Sequence, residues 1–420
     1  MLSCCSMKVY VRALKDKSAL EHVNEKYYGN HLELRTLGGA RGEILAKEIE
    51  SLPKDDFSIV LLGRESSGHA SEEMSSATKK VHFTSKEKIR NLRMNQLYYL
   101  IEEAKARFVL DVRCLGDRYV LGKPTNFLGE ISLGSDVFLV LWEKYKSLLE
   151  EHIRVNNYPL VLHKGDLDEI FARSSLVGRV KRPLDGRCSF ESLVDGSELD
   201  LDLEGTMRAN DSYLEEKLEV TLEKLRRVAK QFDEIVVPWS GGKDSTAVIL
   251  LAKKLNLKFT AIVVDTGLEF PETLEYVERV AKALGVRKHV EYAGVDVEYR
   301  SEGEEYLKSR RCTRRKISSL YACIRRNFEK PLILVGDRIS ESAARSLRPE
   351  LRQDEGFWLY APIRYWSYLD VQMLLRREGV EFNPLYSYGF YRIGCYVCPF
   401  VDAFEKYVLE KLSLLSRPPS

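Results

Sequence analysis

Apolar positions along the chain fall into short runs and longer periodic stripes, and the two kinds alternate from end to end. Lys8 to Leu14 (KVYVRAL) alternates with a period of two and predicts a strand. The compact runs Phe57 to Leu62, Val109 to Val112, Tyr119 to Leu121 and Leu160 to His163 predict others. Ile44 to Leu52, Lys88 to Phe108 and Val137 to Glu151 carry the spacing of amphipathic helices. Gly178 to Asn210 mixes turn residues and charge with few large apolar positions and reads as a linker. Beyond it, Leu214, Leu218, Leu222 and Leu225 stripe one face of a helix expected over Tyr213 to Phe232, with Asp211 and Ser212 as its cap.

The pattern then sharpens. Ile235 to Trp239 is a β-branched run of strand length, and after two glycines Val248, Ile249, Leu250, Leu251 and Leu255 take up helical spacing. Phe259 to Val264 and Leu332 to Val335 predict further buried strands, and a helix is expected from about Tyr368. Two strand–helix steps this close imply a parallel, right-handed crossover, so both strand ends share the sheet edge where open α/β sheets bind ligands. The fold class expected is α/β. Three regions are expected: a mixed α/β region over 1–122, a small mixed region and linker over 123–210, and a nucleotide-binding unit over 211–420. The first two hundred residues admit a substrate-recognition role or a structural, oligomer-forming one.

The candidate chemistry begins in the glycine turn, Ser240-Gly241-Gly242-Lys243-Asp244-Ser245. Glycines let backbone N–H groups approach a ligand, and the following helix aims its positive end at the turn, an arrangement that binds phosphate. Lys243 adds a charge and Ser240 and Ser245 add hydroxyls; no Gly-x4-Gly precedes the lysine, so the turn is not a Walker A loop. Asp265 and Thr266 end the next strand and are expected near the adenine and ribose, although an Asp there also serves as a helix cap. Leu332 to Val335 ends in Gly336-Asp337-Arg338-x-x-Glu341-Ser342-x-x-Arg345. Arg338 and Arg345 suit a phosphate or sulfate held bidentately; surface charge or a pair with Glu341 is the alternative.

Composition narrows the class. At 420 residues two or three domains are expected, and 44% hydrophobic with 30% charged residues excludes a disordered chain. A net charge of +2 decides nothing about nucleic acid. No eighteen-residue apolar run occurs and Met1 to Met7 is too short for a secretory signal, so no membrane and a cytoplasmic setting are expected. Eight cysteines in that setting point to metal or redox sites rather than disulfides. The polar Gly63 to Glu73 loop, with His69, reads as surface.

The ordered series SGGKDS, D-T-x-x-x-F-P-E-T, C-T-R-R-K, G-x-R-x-x-E-S, P-I-x-x-W, N-P-L-Y and G-C-x-x-C-P, spread over Tyr213 to Lys406, resembles the phosphoadenosine phosphosulfate reductase family of the PP-loop (adenine nucleotide alpha-hydrolase-like) superfamily. The resemblance implies a doubly wound parallel sheet binding ATP or an adenylylsulfate-type nucleotide through Ser240 to Ser245, with Mg²⁺ held by Asp244 or Asp265. Lys243, Asp244, Asp265 and Arg338 are the catalytic candidates; Thr266, Gly336 and Arg345 complete the nucleotide set.

Cys395 and Cys398 are spaced for two ligands of one metal centre, with a redox dithiol as runner-up, and Cys312 lies in a basic run that favours a thiolate. Iron–sulfur members of the family carry a cysteine pair where this chain has Cys312 alone, so a three-cysteine [4Fe–4S] site is expected, with zinc as the alternative. Cys323 lies ~16 Å further along an unbroken helix and is not expected at the same centre. Family reductases carry a nucleophilic cysteine in a C-terminal tail, whereas Pro399 to Ser420 holds none. ATP-dependent adenylation of an acceptor coupled to sulfur transfer is therefore preferred, with RNA or a small molecule as acceptor. The alternatives are adenylylsulfate or phosphoadenylylsulfate reduction, and an adenylate-binding protein without turnover.

Overall fold

The computed structural model describes residues 7–66, 68–84, 87–129 and 134–412. Three sheets and a short ribbon follow one another. Strands β1 (Met7–Val11), β2 (Leu32–Thr36), β3 (Ser58–Leu62) and β4 (Lys79–Phe83) form a parallel sheet in the order β2-β1-β3-β4. The ribbon β5 (Val112–Leu115) and β6 (Arg118–Leu121) leads to an antiparallel sheet of β7 (Asp136–Leu139), β8 (Leu160–His163), β9 (Leu167–Ala172), β10 (Ser175–Lys181) and β11 (Ser189–Ser192). The third sheet has the order β14-β13-β12-β15-β17-β16, from β12 (Ile235–Pro238), β13 (Thr260–Asp265), β14 (Lys288–Tyr292), β15 (Leu332–Leu334), β16 (Leu351–Asp354) and β17 (Phe357–Tyr360). It is parallel except for β16, and strand order reverses at β12, which makes it a doubly wound α/β sheet with its switch point at the glycine turn. Among the described residues no helix is long and apolar enough to cross a membrane.

Several expected elements shift. The first strand ends at Val11, and Leu14–Tyr28 is a helix. The helix expected from Lys88 runs over Met94–Leu110 and takes in Val109, expected to open a strand. Val137 to Glu151 is not one helix but strand β7 followed by a helix at Glu143–Glu150; a wholly buried strand leaves no polar alternation to reveal it. Gly178 to Asn210 is not a linker, since it carries most of β10, all of β11 and a helix at Leu203–Ala209. Asn210, rather than Asp211 or Ser212, precedes the long helix Asp211–Ala229.

Buried charge joins the sheets. Lys224 Nζ meets Asp56 at 2.6 Å, beside the N-terminal sheet, and Glu350 at 2.7 Å. The antiparallel sheet ends in β7, whose outer backbone is satisfied by a side chain: Gln372 Nε2 donates to the Leu139 carbonyl at 2.8 Å and its Oε1 accepts from Leu139 N at 2.9 Å. Asp136 opens β7 and inserts into the third-sheet half. Its carboxylate accepts from Arg338 Nη1 (2.6 Å), Tyr391 OH (2.9 Å) and Tyr368 N (2.8 Å). Nearby, Arg182 Nη1 donates to Asp168 at 2.7 Å and its Nη2 to Asp402 at 2.6 Å, with Glu405 3.7 Å away.

Removing one partner of a buried ion pair leaves an uncompensated charge, so Asp136→Ala should destabilise the protein by about 3–5 kcal/mol; a thermal midpoint equal to that of the parent would show that Asp136 does not hold the sheets together. Burial and the neighbouring Asp402 carboxylate push Glu405 up from 4.5 to about 7. Its contribution to stability is present below the unfolded value and is lost as pH rises through about 7. Glu405→Gln should therefore flatten the dependence of the melting temperature on pH across that window, measured beside the parent.

Candidate functional site

β12 lies inside its sheet with β13 and β15 on either side, so three strand ends converge on the glycine turn. Gly241 has φ +70°, and a Cβ there would sit 2.8 Å from Thr273 Cγ2. Gly242 precedes the helix Lys243–Lys254. From the end of β15, Gly336 packs so closely on that helix that a Cβ would lie 3.0 Å from the Asp244 carbonyl carbon and from Ser245 N. Ser245 Oγ donates to the Gly242 carbonyl at 3.0 Å and lies 3.2 Å from Ser240 Oγ. The result is a rigid turn at a helix N-terminus, an anion cradle built from backbone dipoles.

The charged side chains lie differently from expectation. Lys243 is 2% exposed and points inward. Its ammonium sits over the rings of Tyr368 (4.2 Å), Tyr391 (5.2 Å) and Tyr386 (5.3 Å) and donates to Asp244 Oδ2 at 3.0 Å. Its backbone N–H donates to Tyr386 OH at 3.0 Å. Burial pushes the ammonium down, with Asp244 opposing. Arg338, expected at an open edge, is wholly buried: Nε donates to Asp244 Oδ1 at 2.7 Å, Nη1 goes to Asp136, and Nη2 has no hydrogen-bond partner among the described residues. Burial works against the Asp244 charge, but Arg338 and Lys243 outweigh it and hold the carboxyl below the ordinary range. Arg345 is paired with Glu341 and lies 3.5 Å from Asp337, the arrangement weighed against an anion role.

On the other side of β12, Asp265 Oδ1 accepts from Gly267 N at 2.8 Å, a local turn contact. Thr266 Oγ1 lies 3.2 Å from Glu269 Oε1 and 3.5 Å from Cys395 Sγ. A β-bridge joins Glu269 to Cys395, and Lys316 Nζ donates to Glu269 Oε1 at 2.9 Å. The strand end and the Cys395–Cys398 turn are therefore one contiguous surface. Burial pushes the Cys395 thiol up to about 12, with Glu269 adding to it and Lys316 opposing, and burial raises Cys398 as well. The first turns of helix Arg311–Asn327, which carry Cys312, meet this surface beside the two other thiols: the Arg310 guanidinium lies 4.2 Å from the centre of the Phe400 ring, and Lys316 reaches Glu269. The three thiols do not form a set with ligand atoms within 4.8 Å of one another among the described residues.

Helix Arg311–Asn327 is unbroken, and Cys323 at its far end faces Glu291 rather than this group. Much of the basic run is locally paired: Lys308 with Glu304, Arg311 with Glu302, Lys316 with Glu269, Arg325 with Glu355 and Arg326 with Glu291. Sequence reasoning missed Asp136 and the three tyrosines. Tyr386 stood in the N-P-L-Y motif without a role; Asp136 stood just before the stretch Val137 to Glu151 that read as helix and gave no signal.

Residues 234–400 match the family model described as the phosphoadenosine phosphosulfate reductase domain. The chain is 33% identical over 196 residues to an uncharacterized protein of Methanocaldococcus jannaschii, covering 44% of this chain and 39% of that protein. It is 32% identical over 192 residues to sulfate adenylyltransferase subunit 2 of Streptomyces lavendulae, covering 38% of this chain and 59% of the subunit. With adenosine 5'-phosphosulfate reductase 1 of Bacillus subtilis the identity is 27% over 174 residues, covering 40% of this chain and 73% of that protein. The chain thus spans less than two thirds of the length of the first two. Residues 234–400 of this chain are thus similar to the phosphoadenosine phosphosulfate reductase domain and to proteins that carry it.

Proposed function

We propose that this chain is an adenine-nucleotide-dependent enzyme of sulfur metabolism that adenylates an acceptor oxygen with ATP and then delivers sulfur to the activated carbon. The observation that carries this reading is the contact between the two kinds of chemistry: Thr266, beside the PP-loop, lies 3.5 Å from Cys395 Sγ. The similarities support it from both directions, since one relative is named as a sulfate adenylyltransferase subunit and another as an adenylylsulfate reductase.

In this reading the N–H groups opening helix Lys243–Lys254, with the Ser240 and Ser245 hydroxyls, receive the β- and γ-phosphates. The acceptor oxygen attacks the α-phosphorus, the α–β bridging P–O bond breaks, and pyrophosphate leaves into the cradle that already binds it. Both Asp244 oxygens are taken by Arg338 and Lys243, so Mg²⁺ fits Asp265 better and would neutralise phosphate charge there. Sulfide, the co-reactant, then forms the C–S bond as the C–O bond breaks and AMP departs. Cys312, Cys395 and Cys398 would hold a [4Fe–4S] centre, which supplies thiolate-ligated iron suited to a sulfur ligand. The acceptor is an RNA base or a small molecule. A second reading, reduction of an adenylylsulfate, is favoured by the similarity to the Bacillus protein.

Lys243→Ala empties the tyrosine cage and removes one of the two cations on Asp244. It should abolish pyrophosphate release from ATP in the presence of acceptor, and undiminished release would refute the PP-loop assignment. Gly241→Ala, which drives a methyl group into Thr273, should slow the same reaction about 100-fold or more. Anaerobically purified protein should carry about four irons per chain and lose them in Cys395→Ser. Iron-free protein would remove the sulfur step and leave an adenylating enzyme, while turnover of adenylylsulfate to sulfite with no release from ATP would select the reductase reading.

A further inference from the structure

The third sheet carries a second set of metal-type donors, away from the glycine turn. β14 is its outermost strand on one side, and His289 and Glu291, two residues apart, share a face of it. Cys323 approaches that face from helix Arg311–Asn327, whose first turn carries Cys312 ~16 Å away along the axis. One ligand atom from each of His289, Glu291 and Cys323 lies within 4.8 Å of the other two, and among the described residues this is the trio so placed. His289 Nε2 is 3.5 Å from Glu291 Oε2.

Two further contacts hold these donors in place. Asn327 Nδ2 lies 3.7 Å from Cys323 Sγ as a donor and also donates to the Cys323 carbonyl at 2.8 Å. Arg326 Nη2 donates to both Glu291 oxygens, at 2.8 and 2.7 Å, but its side chain is 57% exposed and, unlike the buried Arg338 on Asp244, is free to swing into water when an ion takes a Glu291 oxygen. Outer contacts of this kind orient first ligands and are part of how metal sites keep their geometry. One thiol, one imidazole and one carboxylate form a borderline-soft donor set that favours zinc over magnesium or calcium. Cys323 is wholly buried while the His289 side chain is 47% exposed, so an ion would be fixed from inside and reached from water.

We propose that His289, Glu291 and Cys323 bind a zinc-type divalent ion as a three-ligand site with its fourth position open to solvent, separate from the Cys312, Cys395 and Cys398 group. The site does not depend on the proposed reaction. Its probe is Co²⁺, titrated anaerobically into the metal-stripped full chain carrying Cys312→Ser, Cys395→Ser and Cys398→Ser. About one equivalent should bind with a sulfur-to-cobalt charge-transfer band. Adding Cys323→Ser should erase that band, adding Asn327→Ala should weaken binding about 10–100-fold, and adding His289→Ala, at an exposed position, should weaken it at least as much without moving the melting temperature. Should the triple-serine background not fold, the parent chain and His289→Ala are compared directly, and a loss of about one equivalent is expected. Equal Co²⁺ binding by parent and His289→Ala, or a charge-transfer band that survives Cys323→Ser, overturns the proposal.

Discussion

Arg338 carries a full charge with no exposure to water, and the arrangement of the site follows from how that charge is balanced. Desolvating an ion costs several kcal/mol, recovered only when good partners meet it. The partners are Asp136 and Asp244, 202 and 94 residues away along the chain, so the bridge ties the antiparallel sheet to the glycine turn through the loop after β15. A guanidinium suits this position because its planar fork reaches two carboxylates at once and never loses its proton. Asp136 is in turn engaged by Tyr391 and by the first backbone N–H of helix Tyr368–Arg377. The antiparallel sheet is thereby part of the site rather than an appendage to it.

The same accounting changes the part that Lys243 plays. A lysine beside a phosphate cradle invites assignment as a phosphate contact, yet its ammonium lies among three tyrosine rings and against Asp244. Cation–π contacts gain strength when desolvated, so the lysine is stable there, and its pull on Asp244 steadies the first turn of the helix. The attraction for an anion then comes from the helix terminus and the backbone of the turn, which need no rearrangement when a ligand arrives. Lys243 shapes the turn from inside rather than lining its open face.

The central strands were legible almost to the residue: β12, β13 and β15 are buried β-branched runs bounded by turn chemistry, and local pattern suffices for such segments. The motif residues were legible for the same reason, since the cradle is a local strand–turn–helix. The antiparallel sheet was not. β11 is largely exposed and the second half of β10 sets only Val180 among Gly178, Arg179 and Lys181, so together they look like a polar linker until β9 is seen beside them. Asp136 was invisible because its meaning lies in a partner 202 residues away. Arg338 and Arg345 had the right residue type for anions, but neighbouring carboxylates claim them, and no local spacing records that.

Helix Arg311–Asn327 carries two cysteines into separate surroundings. Its rise of about 1.5 Å per residue keeps Cys312 and Cys323 apart whatever their chemical similarity, so the two thiols cannot share an ion while the helix stays intact. The Cys312 end of the helix packs beside the turn of Cys395 and Cys398, where Cys395 lies next to Thr266, whereas Cys323 meets the outer strand at Glu291. The paired arginines and lysines along the helix hold it against both neighbours: Lys316 to Glu269 near the first group, Arg326 to Glu291 near the second. Bending or melting the helix would therefore disturb both thiol environments together, whereas a side-chain change at either end would disturb one.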